Sequence, residues 1–119
     1  MRGPDRFESL FSAIDSRDVD GFMEWLTEDC SFVYGSQEPV RGAAAVRDMV
    51  AAFLSSFAVV AHRVDSTWEA DGAAITEGFV TYTTTDGSAT SLPFCNVFHI
   101  ADDLRIREYR VYIDPTPLG

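Results

Sequence analysis

Several side chains that can move a proton sit in apolar, strand-like sequence, among them two histidines, His62 and His99, the carboxylate of Glu77 and the phenol of Tyr109. His62 suits the work best, because imidazole exchanges a proton near neutral pH and does so through two distinct nitrogens. Its competing role is that of a pocket-edge histidine held by backbone or water. Glu77 is a second candidate, since burial raises a carboxylate's pKa and lets it act as an acid or a base. Asn96 and Tyr109 can hydrogen-bond a substrate oxygen, with satisfaction inside the core as the alternative.

Three Asp-rich turns decide whether these groups meet. Asp71-Gly72, Asp86-Gly87 and Asp102-Asp103 separate four strand-like segments, and two-residue loops at all three would fix which residues face one another. One cross-strand row then reads Val64, Phe79, Phe94, Val111, and the next His62, Thr81, Leu92, Ile113. A third reads Ser66, Glu77, Asn96, Tyr109, and a fourth Trp68, Ile75, Phe98, Arg107. Residues of a row share a sheet face, so this register makes an apolar floor of Phe79, Phe94 and Val111 with polar groups set into it. Such a surface is how a small-molecule pocket is built. A one-residue slip or a bulge would instead carry Glu77 to the outer face.

The opposite face gathers Arg63, Val80, Pro93 and Tyr112, then Asp65, Gly78, Cys95 and Arg110, with Tyr82, Val97 and His99 nearby. That mixture is too apolar for solvent and too charged for a core, which suits a subunit interface. Asp114 falls at the end of the last strand, where pairing with Arg63 or Arg110, or capping, accounts for it.

Helical elements precede these strands. Phe7, Leu10, Phe11 and Ile14 give Asp5 to Ser16 an apolar stripe, with Asp5 and Glu8 spaced as a capping pair. Asp18 to Leu26 repeats the pattern behind an Asp18 N-cap, and Ala43 to Ser56 carries a third stripe. Asp29 to Tyr34 reads as a strand and Gly35 to Gly42 as a loop. Helices segregated ahead of an antiparallel sheet make an α+β domain.

The chain is 119 residues long, enough for one domain spanning residues 1–119. A net charge of -10 with only nine Lys and Arg residues leaves no basic stripe for nucleic acid or an anionic membrane surface. Met1-Arg2-Gly3-Pro4 lacks the apolar stretch of a signal peptide, so a cytoplasmic location is expected. Cys30 and Cys95 read as structural thiols, and no Cys or His pair has metal-ligand spacing.

The run Ile14-Asp15-Ser16-Arg17-Asp18-Val19-Asp20, the segment Asp29 to Gly42, the arm His62 to Gly72 and the ending Arg110-Val111-Tyr112-Ile113-Asp114 resemble the SnoaL-like polyketide cyclase branch of the nuclear transport factor 2-like superfamily. The resemblance covers nearly the whole chain. It implies a cystatin-like α+β cone, a strongly bent antiparallel sheet with three helices enclosing a pocket. It also implies the proton-transfer chemistry of ketosteroid isomerases, scytalone dehydratase, limonene epoxide hydrolases and polyketide cyclases. The isomerases' general-base aspartate falls on Tyr34, their oxyanion tyrosine on Leu10 and their oxyanion aspartate on Asn96, and the epoxide hydrolases' last-strand aspartate falls on Val111. Scytalone dehydratase matches at its catalytic aspartate (Asp15), a water-holding tyrosine (Tyr34) and one histidine (His62); its second histidine has no counterpart and its other tyrosine falls on Ile14.

The expected function is therefore a cofactor-independent lyase, isomerase or cyclase acting on a hydrophobic, oxygenated ring compound. His62, Asp15 and Glu77 would be catalytic, and Tyr34, Asn96, Tyr109, Phe79, Phe94 and Val111 would bind substrate, with no metal or cofactor. The alternative is a non-catalytic ligand-binding or dimerisation module of the same fold. A homodimer is expected in either case.

Overall fold

The computed structural model describes residues 7–118. The chain forms α1 (Glu8–Asp15), α2 (Val19–Met23), β1 (Leu26–Tyr34), β2 (Val40–Arg41), α3 (Ala43–Ser55), β3 (Val59–Ala70), β4 (Ala73–Thr83), β5 (Ala89–Ile100) and β6 (Ile106–Tyr112), and ends in a 3-10 turn, Thr116–Leu118. Six strands make one curled sheet in the order β2-β1-β6-β5-β4-β3, antiparallel except for the β1–β6 pair. The three helices cover its inner face, so the α+β cone is the fold. No helix among the described residues is long and apolar enough to cross a membrane.

The apolar stripes bury as their periods require. Leu10 and Phe11 of α1, Phe22 of α2, and Val46, Val50 and Leu54 of α3 meet Phe94, Phe98, Ile106 and Tyr109 from the sheet in one core. Asp18 caps α2 by accepting from the Gly21 N–H at 3.0 Å. The Asp5 half of the expected capping pair lies outside the described residues. Leu26 begins β1 instead of ending α2, because pairing with Ile106 outweighs a helical period that it also satisfies.

How α1 ends matters for the site. The Arg17 N–H donates to Ile14 O and the Asp18 N–H to Ala13 O, the bond pattern of a Schellman C-cap. Arg17 holds the left-handed position with φ 65°, where glycine is the usual occupant. Its guanidinium offsets that cost by donating to the carbonyls of Leu54, Phe57 and Ala58 at 2.5 to 2.7 Å. The helix thus stops immediately after Asp15, and its end is pinned to the start of β3.

Two one-residue irregularities set the sheet's faces. The Asp71-Gly72 loop is the expected two-residue turn, both residues having positive φ, and it pairs Ser66 with Glu77 and Trp68 with Ile75. At the next hairpin, Thr84 and Ser88 close a three-residue loop ending in Gly87 at φ 91°. Thr81 therefore pairs with Ser91 and Glu77 with Cys95, one residue away from the two-residue reading. That slip turns Ala74, Thr76, Gly78, Val80 and Tyr82 inward and puts Ile75, Glu77 and Phe79 outside. A bulge at Asp65 then returns the first half of β3, so that Val60 and His62 face inward with Val80. Gly78 faces the bulge, where an added Cβ would lie 1.8 Å from Arg63 O. The β5–β6 pairing slides by two residues, Asn96 facing Val111 and Phe98 facing Tyr109, which keeps the expected parity.

Candidate active site

Asp15, at the last turn of α1, meets His62 on the edge strand β3. One carboxylate oxygen accepts from the His62 backbone N–H at 2.9 Å, and the other lies 2.7 Å from His62 Nδ1. Two unmet needs favour this contact once the fold brings the groups together. A carboxylate at a helix C-terminus is disfavoured by the helix dipole and needs donors. An edge strand has N–H groups with no strand partner. Each need answers the other. The His62 ring is fixed between Phe11 and Phe94, with centroids 5.1 and 5.5 Å away. A carboxylate only accepts, so Asp15 holds the proton of a neutral imidazole on Nδ1 and leaves the Nε2 lone pair free to act as a base.

His62 lines a cavity of about 100 Å³ under the helices. Its walls are apolar, from Ile14, Phe22, Phe32, Val50, Phe53, Leu54, Val80, Phe94 and Val111 among others, with Tyr34, Gln37, Tyr82, Asn96 and Tyr109 as its remaining polar members. The Tyr34 and Tyr82 hydroxyls lie 3.0 Å apart. Burial pushes both phenols above their ordinary range, and their mutual bond raises Tyr82 further while partly offsetting the rise at Tyr34. Tyr109 is 2% exposed, its ring stacked on Phe32 at 4.7 Å. Burial first, and then the charge of Asp15, pushes its phenol up as well. All three are neutral hydrogen-bond donors in the physiological range.

Of the residues expected at a pocket, His62, Tyr34, Asn96, Tyr109, Phe94 and Val111 border this cavity, and Asp15 joins it through His62. Glu77 and Phe79 do not. The three-residue loop at Thr85–Gly87 turns both outward, where Glu77 is exposed and Phe79 packs under the Arg63 guanidinium, 4.8 Å from its ring centre. The same slip brings Val80 and Tyr82, expected outside, into the cavity wall. Gly78 was the available signal, since a glycine inside an alternating strand marks a bulge or a close backbone approach. Asp114 accepts from the Thr116 N–H and hydroxyl as a turn cap and does not line the cavity. Among the described residues no three His, Cys, Asp or Glu side chains cluster to hold a metal ion.

The comparisons agree with this architecture. An NTF2-like protein of unknown function from Burkholderia pseudomallei superposes with a TM-score of 0.86 at 16% identity, over 96% of this chain and 92% of that one. A protein assigned as a polyketide cyclase from Xanthomonas campestris gives 0.82 at 20% identity, over 93% and 89%. An LEH-like epoxide hydrolase of M. tuberculosis gives 0.80 at 18% identity, over 94% and 82%. At these identities the likeness is one of fold. No curated protein matches the sequence. The model of the SnoaL-like domain matches residues 7–109, which takes in Asp15 at the end of α1, His62 on β3 and all but the last residues of the sheet, and so the chain belongs to the SnoaL-like domain family.

Proposed function

We propose that this protein is a cofactor-independent acid–base catalyst, a lyase, isomerase or cyclase, acting on a hydrophobic ring compound that carries oxygen. The observation that supports it is the Asp15–His62 pair at the wall of an apolar cavity. Asp15 orients the imidazole and fixes its tautomer, and His62 Nε2 takes and returns the proton. The apolar walls hold the ring and exclude water, which strengthens each remaining polar contact. The test is consumption of uncharged cyclic ketones, enones and hydroxyketones followed by NMR. His62→Ala should abolish turnover, by about 10²-fold or more, while ring binding stays within a few-fold of wild type. A wild type that binds these rings and consumes none would favour the second reading, a ligand-binding module. That reading draws on the mutual satisfaction of Tyr34 and Tyr82, which leaves the pair less to offer a reacting group.

A cytoplasmic homodimer belongs to the same proposal. The outer face exposes Trp68, Ile75, Phe79 and Tyr112 beside Arg63 and Arg110, a mixture of apolar area and charge suited to a second copy. Sedimentation at micromolar concentration should report a dimer, and Val97→Glu should weaken it. A wild-type monomer at high concentration removes this part of the proposal.

A further inference from the structure

The hydroxyl bond between Tyr34 and Tyr82 joins two strands that the sheet keeps apart. Tyr34 ends β1 and Tyr82 lies one residue from the end of β4, while β6 and β5 stand between those strands in the sheet. Three strand spacings separate them, roughly 14 Å along a flat sheet. The curl of the sheet and two long side chains reaching inward close that span to a contact of 3.0 Å. The pair is therefore a crossbar through the cone.

Helix α3 backs it. Phe53 packs against both rings, with centroids 5.1 Å from Tyr34 and 5.7 Å from Tyr82, and Phe57 packs against Phe53 at 5.4 Å and Tyr82 at 4.9 Å. Tyr34, Phe53 and Tyr82 line the cavity and Phe57 does not, so these rings make a wall with the cavity on one side of it. His62 belongs to another wall, beside Phe94. The space these walls leave is about 100 Å³. An apolar cavity of about 150 Å³ takes one benzene, and pockets for drug-sized molecules begin near 300 Å³. One ring fits here with slight yielding of the walls; a fused pair does not while the crossbar stands.

We infer that the Tyr34–Tyr82 crossbar, backed by Phe53, sets the length of the cavity, and that the ligand is a single small ring and not a fused-ring compound. The inference rests on the preceding reading only in that a ring occupies this cavity. Tyr34, Tyr82 and Phe53 are then specificity-determining residues, which act by excluding a second ring and not by touching the reacting atoms. Apolar transfer alone would work the other way. In a site that took both, the added surface of a second ring would favour the larger ligand by about tenfold.

The probes are fluorobenzene and 1-fluoronaphthalene, one ring and two, each titrated against the full chain and followed by 19F NMR. Wild type should bind fluorobenzene about tenfold or more tighter, because a second ring overpacks the site. Tyr34→Ala removes one arm of the crossbar and Phe53→Ala its backing, and each should move the ratio of the two affinities about tenfold or more toward the fused ring. A variant that only loses stability weakens both probes by the same factor, so the ratio reads the crossbar and not the fold. Phe53→Ala decides the matter if Tyr34→Ala fails to fold. Wild type that binds 1-fluoronaphthalene as tightly as fluorobenzene, or a ratio that stays put in a folded variant, would overturn the inference. Turnover of 3-hydroxycyclohexanone and 3-hydroxy-1-decalone separates this result from the catalytic reading. If wild type prefers the single ring yet consumes neither ketone, the crossbar stands and the base does not. If both are consumed at similar rates and both need His62, the base stands and the crossbar falls.

Discussion

His62 and His99 stand on opposite faces of one sheet, as do Tyr109 and Tyr112, and Asp15 and Glu77 belong to the corresponding sides. On the inner face, His62 is gripped by two phenylalanines and a carboxylate, and Tyr109 is 2% exposed. On the outer face, His99 lies opposite Glu108, and Tyr112 is 53% exposed beneath Arg110. The residue types are the same, and the surroundings make different chemistry of them. Inside, each polar group either has one fixed partner or none, which orients it and raises what a ligand contact is worth. Outside, ion pairs such as Arg63–Asp65 and Arg110–Glu108 link residues two apart on the same strand, where water screens them. Arg110 does hold Glu108 below the usual carboxylate range, a local effect of one charge-assisted bond. Position on one side of β4 or the other, set by one residue in a loop, separates a site from a surface.

The sharpest way to break this comparison is to place the same charge at adjacent positions of β4. Val80 is 1% exposed in the cavity wall, whereas Phe79 is 39% exposed on the other face. Val80→Asp should cost about 3–5 kcal/mol, because the carboxylate enters the core unpaired. Phe79→Asp should cost about 1 kcal/mol or less. Urea unfolding measures both, and equal losses would show that the two faces are not distinct.

A smaller effect compares carboxylates. Asp15→Ala strips the partner from the His62 backbone N–H and from Nδ1 in a site that water enters poorly, which should cost about 1–3 kcal/mol. Asp65 on the outer side of the bulge holds only the exposed Arg63, and Asp65→Ala should leave the unfolding midpoint where it was. If both substitutions destabilise alike, Asp15 serves the fold through its helix end and not through His62.

Much of this was legible beforehand, and the parts that were not share a cause. The helix stripes, the Asp18 cap, the Asp71-Gly72 turn and the inward set Phe94, Asn96, Tyr109 and Val111 follow from period and turn chemistry. The faces of β4 did not, because Asp-Gly serves both a two-residue loop and a three-residue loop with glycine in its last position. What separates them is the Thr84–Ser88 closing pair, and no local preference announces it. His62 reached the inner face by two departures that cancel, the loop slip and the bulge at Asp65. Gly78 carried the hint of that bulge. Tyr82 was assigned outside for the same reason that Glu77 was assigned inside. Contact between Asp15 and His62, 47 residues apart in sequence, lay beyond any periodicity and was anticipated only through the family resemblance.

The smallest effect concerns the inner phenols and pH. Burial holds Tyr34, Tyr82 and Tyr109 in their neutral form, so the folded state resists losing their protons while the unfolded chain does not. Below the unfolded tyrosine value of about 10, both states are protonated and these groups do not make stability depend on pH. Above it the unfolded state binds fewer protons than the native one, so stability falls with rising pH until the folded values are reached. Tyr109→Phe removes one such group. Relative to its own stability at pH 8, the variant should lose about 1 kcal/mol less than wild type by pH 10.5, read from urea unfolding at both values. The sign is what tests the comparison. An inner face as wet as the outer one would let Tyr109 ionise in the folded state, and the two proteins would then lose the same stability.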